Sequence, residues 1–454
     1  MLIGVIAAVV AIVLAAAAFI VGVYRRPQRG LLVLAALVPL DGLLVLAPVP
    51  GLVNGWKEAL VLVTLICAWL RRVRPGDRTH PPLYMPWWPA AALFAVIGCV
   101  SAVAVFGLIG VVAIKVTFFY LSLVAVLWFA PFDARDRDHL ITVLMGMATL
   151  TSFYGLVQLA VGPGVLISLG YQWDRDVRTA GGLLRVFSTF SQPFPFGLYV
   201  MLALLVAGAV ALADPRRRRN AVFLALSPVL AVAMAASVVR AAILGLAVGL
   251  IWMALQRFRQ LGAALVAAAV ASVAVVAVLP ASLTETFFSS SSLGQRSAGW
   301  SAIIDSILVH PVGRGLGSSG AAADRMSTAQ GVEFAGLSTN YQPDNYYVKM
   351  LLELGPIGLW VFLALIITAL VWTTRMGATL PGQDGALALG VSASIVAAMF
   401  ACVVATYFEI FPIDAFFWLL LGVVGCAAAQ HESSSEHLPS GPAAAECRPT
   451  SASC

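Results

Sequence analysis

Charge is what this chain has least of: Asp, Glu, Lys and Arg together make 11% of 454 residues, against 61% apolar side chains. A typical soluble domain carries about 25% charged residues, so too little polar surface is available here to cover a water-soluble fold. Histidine is scarce at five, and the six cysteines (Cys67, Cys99, Cys402, Cys426, Cys447 and Cys454) form no CxxC pair. Neither a disulfide framework nor a zinc knuckle is expected. No repeat of fixed period is visible, so an inverted-repeat transporter gains no support. The net charge of +6 is read as a topology signal, and no nucleic acid is expected as a partner.

What the chain has is long apolar runs. Leu2 to Val23, Leu261 to Leu279 and Met350 to Val371 each approach or exceed the roughly 20 residues a helix needs to cross hydrocarbon. The first lacks a small-residue cleavage site before Arg25 and Arg26 and reads as a retained helix. Further spans are expected near 31–49, 53–70, 86–106, 108–130, 140–161, 194–213, 221–238, 241–256, 384–406 and 411–428. The fold class is therefore all-α, a polytopic membrane protein of about 12–13 transmembrane helices.

Arginines set the orientation, because Lys and Arg concentrate in short cytoplasmic loops. Arg25/Arg26/Arg29, Arg71/Arg72/Arg74/Arg78, Arg135/Arg137, Arg216 to Arg219, Arg257/Arg259 and Arg375 fall on alternate connections. The opposite connections include two long ones, 162–193 and 280–345, expected to face outward with the amino terminus outside and the carboxyl tail inside. The organisation read from this is 1–139, amino-terminal helices; 140–279, central helices with the first outer loop; 280–345, a long and partly helical outer loop; 346–428, carboxyl-terminal helices; and 429–454, a tail. From His431 to Cys454 that tail is rich in Ser, Pro, Ala and Glu and reads as a disordered appendage.

Ionisable residues at membrane depth are functional candidates by default. Asp344 precedes an apolar helix and is read either as its cap or as a catalytic carboxylate. Asn345, Lys349 and Glu353 recur every four residues, on one helical face. Lys349 and Glu353 read as a structural pair, and Asn345 as a substrate ligand. Arg240 stands alone between two short spans. Arg185 and Arg296 either serve a ligand or hold their loops through Asp174, Asp176 or Glu285. Arg314 lies among Gly313, Gly315 and Gly317, which read as turn formers, and His310 is a lone histidine with no metal expected. Two competing classes have their own residues: Asp174-Arg175-Asp176 is a formal DxD for a metal-dependent glycosyltransferase. Asp41, Lys57 and Lys115 could line the path of a flippase or transporter, with mutual pairing of Lys57, Glu58 and Lys115 equally open.

Three stretches carry a resemblance. The second outer loop contains Gln295-Arg296-Ser297-Ala298-Gly299-Trp300, then His310-Pro311-Val312-Gly313-Arg314-Gly315-Leu316-Gly317, then Asp344-Asn345-Tyr346-Tyr347 leading into Glu353-Leu354-Gly355-Pro356-Ile357-Gly358. This order resembles the outer loop of the O-antigen ligase and polymerase family. Ser237-Val238-Val239-Arg240-Ala241-Ala242-Ile243-Leu244 resembles that family's Ser-Arg-x-x-Leu element, and Arg185 to Pro193 its Arg-x-x-Gly-x-Phe-x-x-Pro segment. The resemblance covers roughly 140–430.

It implies a fold like that of C-type membrane glycosyltransferases and transfer of a polyprenyl-diphosphate-linked glycan to an acceptor hydroxyl outside a bacterial plasma membrane. The implied partners are the lipid-linked donor, a glycan or lipid acceptor, membrane lipids, a chain-length regulator and a flippase; no cofactor is implied. The residues that would act are Asp344 and Arg240 in catalysis, with Arg185, Arg296, Arg314, Asn345 and Tyr346 binding diphosphate and glycan. Asp344 stands where ligases of the family carry a histidine, which favours a polymerase over a ligase.

Overall fold

In hydrocarbon every backbone N–H and C=O must find its partner within the protein, and a helix satisfies them within one segment. The computed structural model describes residues 2–46, 55–72, 83–263, 303–330 and 344–436, and among these it is helical except for loops and one two-stranded hairpin. In chain order the elements are α1 (Leu2–Arg25), α2 (Gln28–Leu37) continued by a 3-10 segment (Val38–Leu46), α3 (Trp56–Arg72), α4 (Trp88–Phe106), α5 (Gly110–Phe118), α6 (Ser122–Phe129) and α7 (Ala134–Ser168). Then follow β1 (Thr179–Ala180), β2 (Leu183–Leu184), α8 (Pro193–Ala213), α9 (Arg218–Ala236), α10 (Arg240–Gln256), α11 (Gly320–Gln330), α12 (Tyr346–Thr379), α13 (Gly382–Ala401) and α14 (Ile413–Glu436).

Eight helical runs among the described residues are long and apolar enough to cross a membrane, and the chain is an all-α polytopic membrane protein. The sequence expectation differs from it in detail. The span expected at 108–130 is α5 and α6 joined by a 3-10 turn at Phe119–Leu121. The helices around 140–161 and 350–371 are longer than expected, and each is broken by a Gly-Pro step: Gly162 has φ 78° and Gly355 φ 65°. α14 runs on to Glu436, into the stretch from His431 that composition assigned to a disordered tail; 437–454 lie outside the described residues. So does the span expected at 261–279 beyond 263.

α8, α13 and α14 form the centre, since 89%, 78% and 94% of their membrane-length windows are buried in protein. Their packing uses small residues: a side chain at Gly390 of α13 would press on the Val206 backbone of α8 at 2.8 Å, the close approach that helices need where no water drives association. Around this centre apolar side chains point outward, with Leu108 90% and Trp360 71% exposed. Such a surface is stable only against lipid.

The polar groups gather at the two ends of the bundle. At one end, Arg26 pairs with Asp133 at 3.1 Å and Asp136 at 2.8 Å. Arg217 and Arg219 share Asp138 at 2.6 and 2.9 Å, and Arg71 donates to the carbonyl of Arg25. Arg137, nearly buried, holds the Asp384 carboxylate with two bonds of 2.9 and 2.7 Å and reaches Gln430 at 2.7 Å. Arginines assigned to alternate connections by sequence thus meet on one side. The other end carries Asp41–Lys57 at 2.9 Å, Lys115–Glu58 at 2.8 Å and the arginines considered next.

Arg137 ties α7 to α13 and α14, and truncating one partner of a buried pair strands the rest. Arg137→Ala is expected to destabilise the bundle by about 3 kcal/mol, read as a lower melting temperature in detergent. Arg135→Ala, two residues away and exposed, should leave the melting temperature unchanged.

Candidate functional site

The loop after α7 is built by local rules. Gly181 and Gly182 both have positive φ, 55° and 81°, the type I′ geometry that joins twisted strands in two residues. The resulting hairpin pairs Thr179 with Leu184 and Ala180 with Leu183, and Arg185 N continues it by donating to Arg178 O at 2.8 Å. The chain then runs along the end of α9. Val186 N donates to Ala236 O at 3.1 Å, and Arg185 Nε to Ser237 O at 3.3 Å. Gln158 of α7 holds Ser188 from the other side, donating to its carbonyl at 2.9 Å and accepting from its amide at 2.7 Å.

These bonds stitch the two upstream motif segments together at the break between α9 and α10. Val238, between Ser237 and Arg240, sits at φ 54°, a left-handed conformation that costs a β-branched residue about 1–3 kcal/mol. Ser188, three residues after Arg185, is also left-handed, at φ 56°. Arg240 opens α10 and lies within electrostatic range of Arg185. Burial lowers the Arg185 guanidinium from its ordinary pKa, and the positive charges of Arg178 and Arg240 lower it further. An arginine stays protonated regardless. Arg185, fixed to a main-chain carbonyl within electrostatic range of Arg240 at a helix start, makes a ready place for an anion.

A second junction forms on α12. Pro356 has no N–H to give Leu352 O, and the non-helical Gly355 interrupts the ladder beside it. The glycine-rich loop before α11 fills the gap: Arg314 N donates to Leu352 O and Gly315 N to Glu353 O, both at 2.9 Å. Gly313, at φ 92°, lies so close that a Cβ there would meet Glu353 O at 2.4 Å. This contact fixes Arg314 at the same end of the bundle. Arg296 lies outside the described residues.

Asp344 precedes α12 and is exposed. The cap expected of it belongs to Asn345, whose Oδ1 accepts from Tyr347 N at 2.9 Å and Val348 N at 3.1 Å. Asn345 thereby spends its oxygen on the helix. Tyr346, expected at the glycan, is 1% exposed and packs between Phe362 and Phe408 with ring centroids 5.0 and 5.5 Å away, so it is a core residue. Its amide donates to Cys402 O at 2.8 Å, and Tyr347 Oη donates to Met399 O at 2.8 Å. Gly245 of α10 abuts Ala397 of the same helix α13, so Arg240 and Asp344 flank one end of α13.

Lys349 and Glu353 pair within α12, and both are buried. Sequence reasoning missed their third partner: Glu409, 2% exposed in its side chain, lies 3.1 Å from Lys349 Nζ. Glu353 Oε1 accepts from Ser319 N at 3.0 Å and Ser319 Oγ at 2.9 Å. Ser319 immediately precedes α11, so the carboxylates sit at that helix's amino terminus, where its dipole favours them. A lone acid in the apolar run Tyr407-Phe408-Glu409-Ile410-Phe411 was the available signal. A cavity of about 330 Å³ lies on the same side, lined by Asp41, Lys57, Gln172, Arg175 and Ser191.

Lys349 is the cation that allows two carboxylates to stay buried there. Lys349→Met should cost about 3–5 kcal/mol and expose α11 to protease, while the triple variant with Glu353→Gln and Glu409→Gln should recover much of that protection. Equal nicking of single and triple variants would mean that charge balance is not what holds α11 down.

Residues 221–363 match the model of the family described as O-antigen ligase. The interval starts in α9, includes the α9–α10 break and the glycine-rich loop, and ends within α12. It contains Arg240, Arg296, Arg314, Asp344, Asn345, Lys349 and Glu353, while Arg185 precedes it. No curated protein matches the chain. Over that segment, set in this multi-pass helical bundle, the chain is similar to the O-antigen ligase family.

Proposed function

We propose that the protein transfers a polyprenyl-diphosphate-linked glycan to an acceptor sugar hydroxyl on the outer face of a bacterial plasma membrane, with inversion and without a metal. The observation that carries this reading is Arg185, bonded to Ser237 O at the α9–α10 break within electrostatic range of Arg240. In the reaction the acceptor oxygen bonds to the anomeric carbon as the bond to the diphosphate oxygen breaks. The electron pair leaves with the diphosphate, and the hydroxyl proton passes to a base. Diphosphate is a weakly basic leaving group that needs fixed positive charge more than a proton, and arginine supplies that charge in a bidentate form. Arg314, and Arg296 from its loop, would add to it.

Asp344 is the base in this scheme, at the start of α12 and across the end of α13 from Arg240. The Asp344-Asn345 step favours a polymerase over a ligase. The cavity lined by Asp41, Gln172, Arg175 and Ser191 offers donors and acceptors suited to sugar hydroxyls. Two features weigh against the other classes. Asp176 of the formal DxD is turned into its own loop, accepting from Gln172 N at 3.0 Å. Asp41 pairs with Lys57 and Glu58 with Lys115 at one end of the bundle, the mutual pairing that is the alternative to a transport path.

Purified protein in nanodiscs, given polyprenyl-diphosphate glycan with a chelator present, should yield a product ladder on a gel. Arg240→Ala and Arg185→Ala should each lower turnover by about 10²–10³-fold, and Asp344→Ala should abolish the ladder. A single transfer product would make the protein a ligase. Full activity in Arg240→Ala and Asp344→Ala together would remove the mechanism.

A further inference from the structure

The end of the bundle opposite the Arg185–Arg240 pair has a groove that the transfer reaction does not use. It has a volume of about 500 Å³ and runs between α7 and α9, lined by Thr142, Met145, Gly146 and Thr149 on one side and by Arg218, Arg219, Val222, Phe223 and Leu226 on the other. Its walls are largely apolar, and Thr142 and Thr149 spend their hydroxyl protons on Asp138 O and Met145 O, each at 2.8 Å. Gly146 leaves open space, since a Cβ there would meet nothing within 4 Å. From residue 142 to 149 the groove extends about 10 Å along the helix axis, which takes it from the arginine-bearing end into the hydrocarbon.

The mouth is basic. Arg218 is exposed. Arg219 lies deeper: its Nη1 serves Asp138 Oδ1 at 2.9 Å and Thr142 Oγ1 at 2.6 Å, while its buried Nη2 has no hydrogen-bond partner among the described residues. A buried guanidinium N–H without an acceptor is costly, and an anionic oxygen at the mouth would satisfy it.

We infer that this groove binds one anionic phospholipid of the leaflet at that end, its phosphate on Arg218 and Arg219 and an acyl chain between α7 and α9 along Gly146. Apolar walls alone would take any lipid chain, and the two arginines add selection by headgroup charge. The bound lipid would brace α7 against α9, the two helices that hold Gln158 and the α9–α10 break at the far end.

Native mass spectrometry of the full chain, released from nanodiscs containing phosphatidylglycerol and phosphatidylcholine with identical acyl chains, tests this. One phosphatidylglycerol should be retained in preference. Arg218→Gln should reduce the preference about fivefold, as expected for one surface arginine on an anionic lipid. Gly146→Phe should abolish retention of either lipid in the groove. Should Gly146→Phe not fold, Leu226→Trp on the facing wall puts the same question. Equal retention of the two lipids, or a preference that neither variant alters, would mean ordinary annular lipid and overturn the assignment. Inorganic phosphate binding as tightly as the lipid would overturn it too, because the chain would then contribute nothing.

Discussion

Three residues, Ser237 to Val239, turn the chain from α9 into α10, and the manner in which that turn is satisfied decides where the arginines lie. A helix that ends leaves its last carbonyls without partners, and at membrane depth water is not there to take them. Here the loop from the preceding connection takes them. Val186 N bonds Ala236 O and Arg185 Nε bonds Ser237 O, so Arg185 is placed by the same bonds that finish α9. The left-handed Val238 persists because these contacts, and the approach of Gly197 to Ser237 and Val239, leave it no other conformation.

The α12 kink obeys the same constraint with different residues. Gly355 and Pro356 release two carbonyls that the amides of Arg314 and Gly315 collect, and the glycine-rich loop is thereby docked on a transmembrane helix. Once docked, the loop brings Ser319 and the start of α11 over Glu353 and Glu409. Burying two carboxylates against one lysine would be unfavourable in isolation. Helix amides and the serine hydroxyl make it tolerable, so the charge cluster depends on the kink that positions it.

Much of this was legible in the sequence, and the reasons for the gaps are specific. Spans and the alternation of arginines follow from composition and short-range pattern, and the structure collects Arg26, Arg71, Arg137, Arg217 and Arg219 at one end. The cap was misplaced by one residue because Asp and Asn are equally good caps, and only the extended backbone of Asn345 decides between them. The burial of Tyr346 could have been read from helical period, since Tyr346, Lys349, Met350 and Glu353 share one face; the resemblance drew attention to the aromatic instead. Glu409 pairs across more than fifty residues of sequence, and no periodicity reports that. The meeting of Arg185 with Arg240 was likewise invisible, because it depends on which carbonyls a loop happens to satisfy.

The two ends of the bundle differ in how they treat arginine, and the difference bears on function. At one end Arg26 meets two carboxylates, Arg137 grips Asp384, and Arg217 and Arg219 share Asp138. Such pairs neutralise the charge they hold and serve mainly to join helices. At the other end Arg185 donates to a neutral main-chain carbonyl, a bond that fixes its position and leaves its charge intact. Arg178 and Arg240 stand near enough to make that charge costlier. Position without a carboxylate partner among the described residues is what the proposed diphosphate site would require, because the stabilisation would then appear when the anion arrives and grow as charge develops on it. The left-handed Val238 and the repulsion felt by Arg185 are thus features of the resting protein beside the bond that holds Arg185, and an anionic substrate of the proposed kind would relieve the second of them.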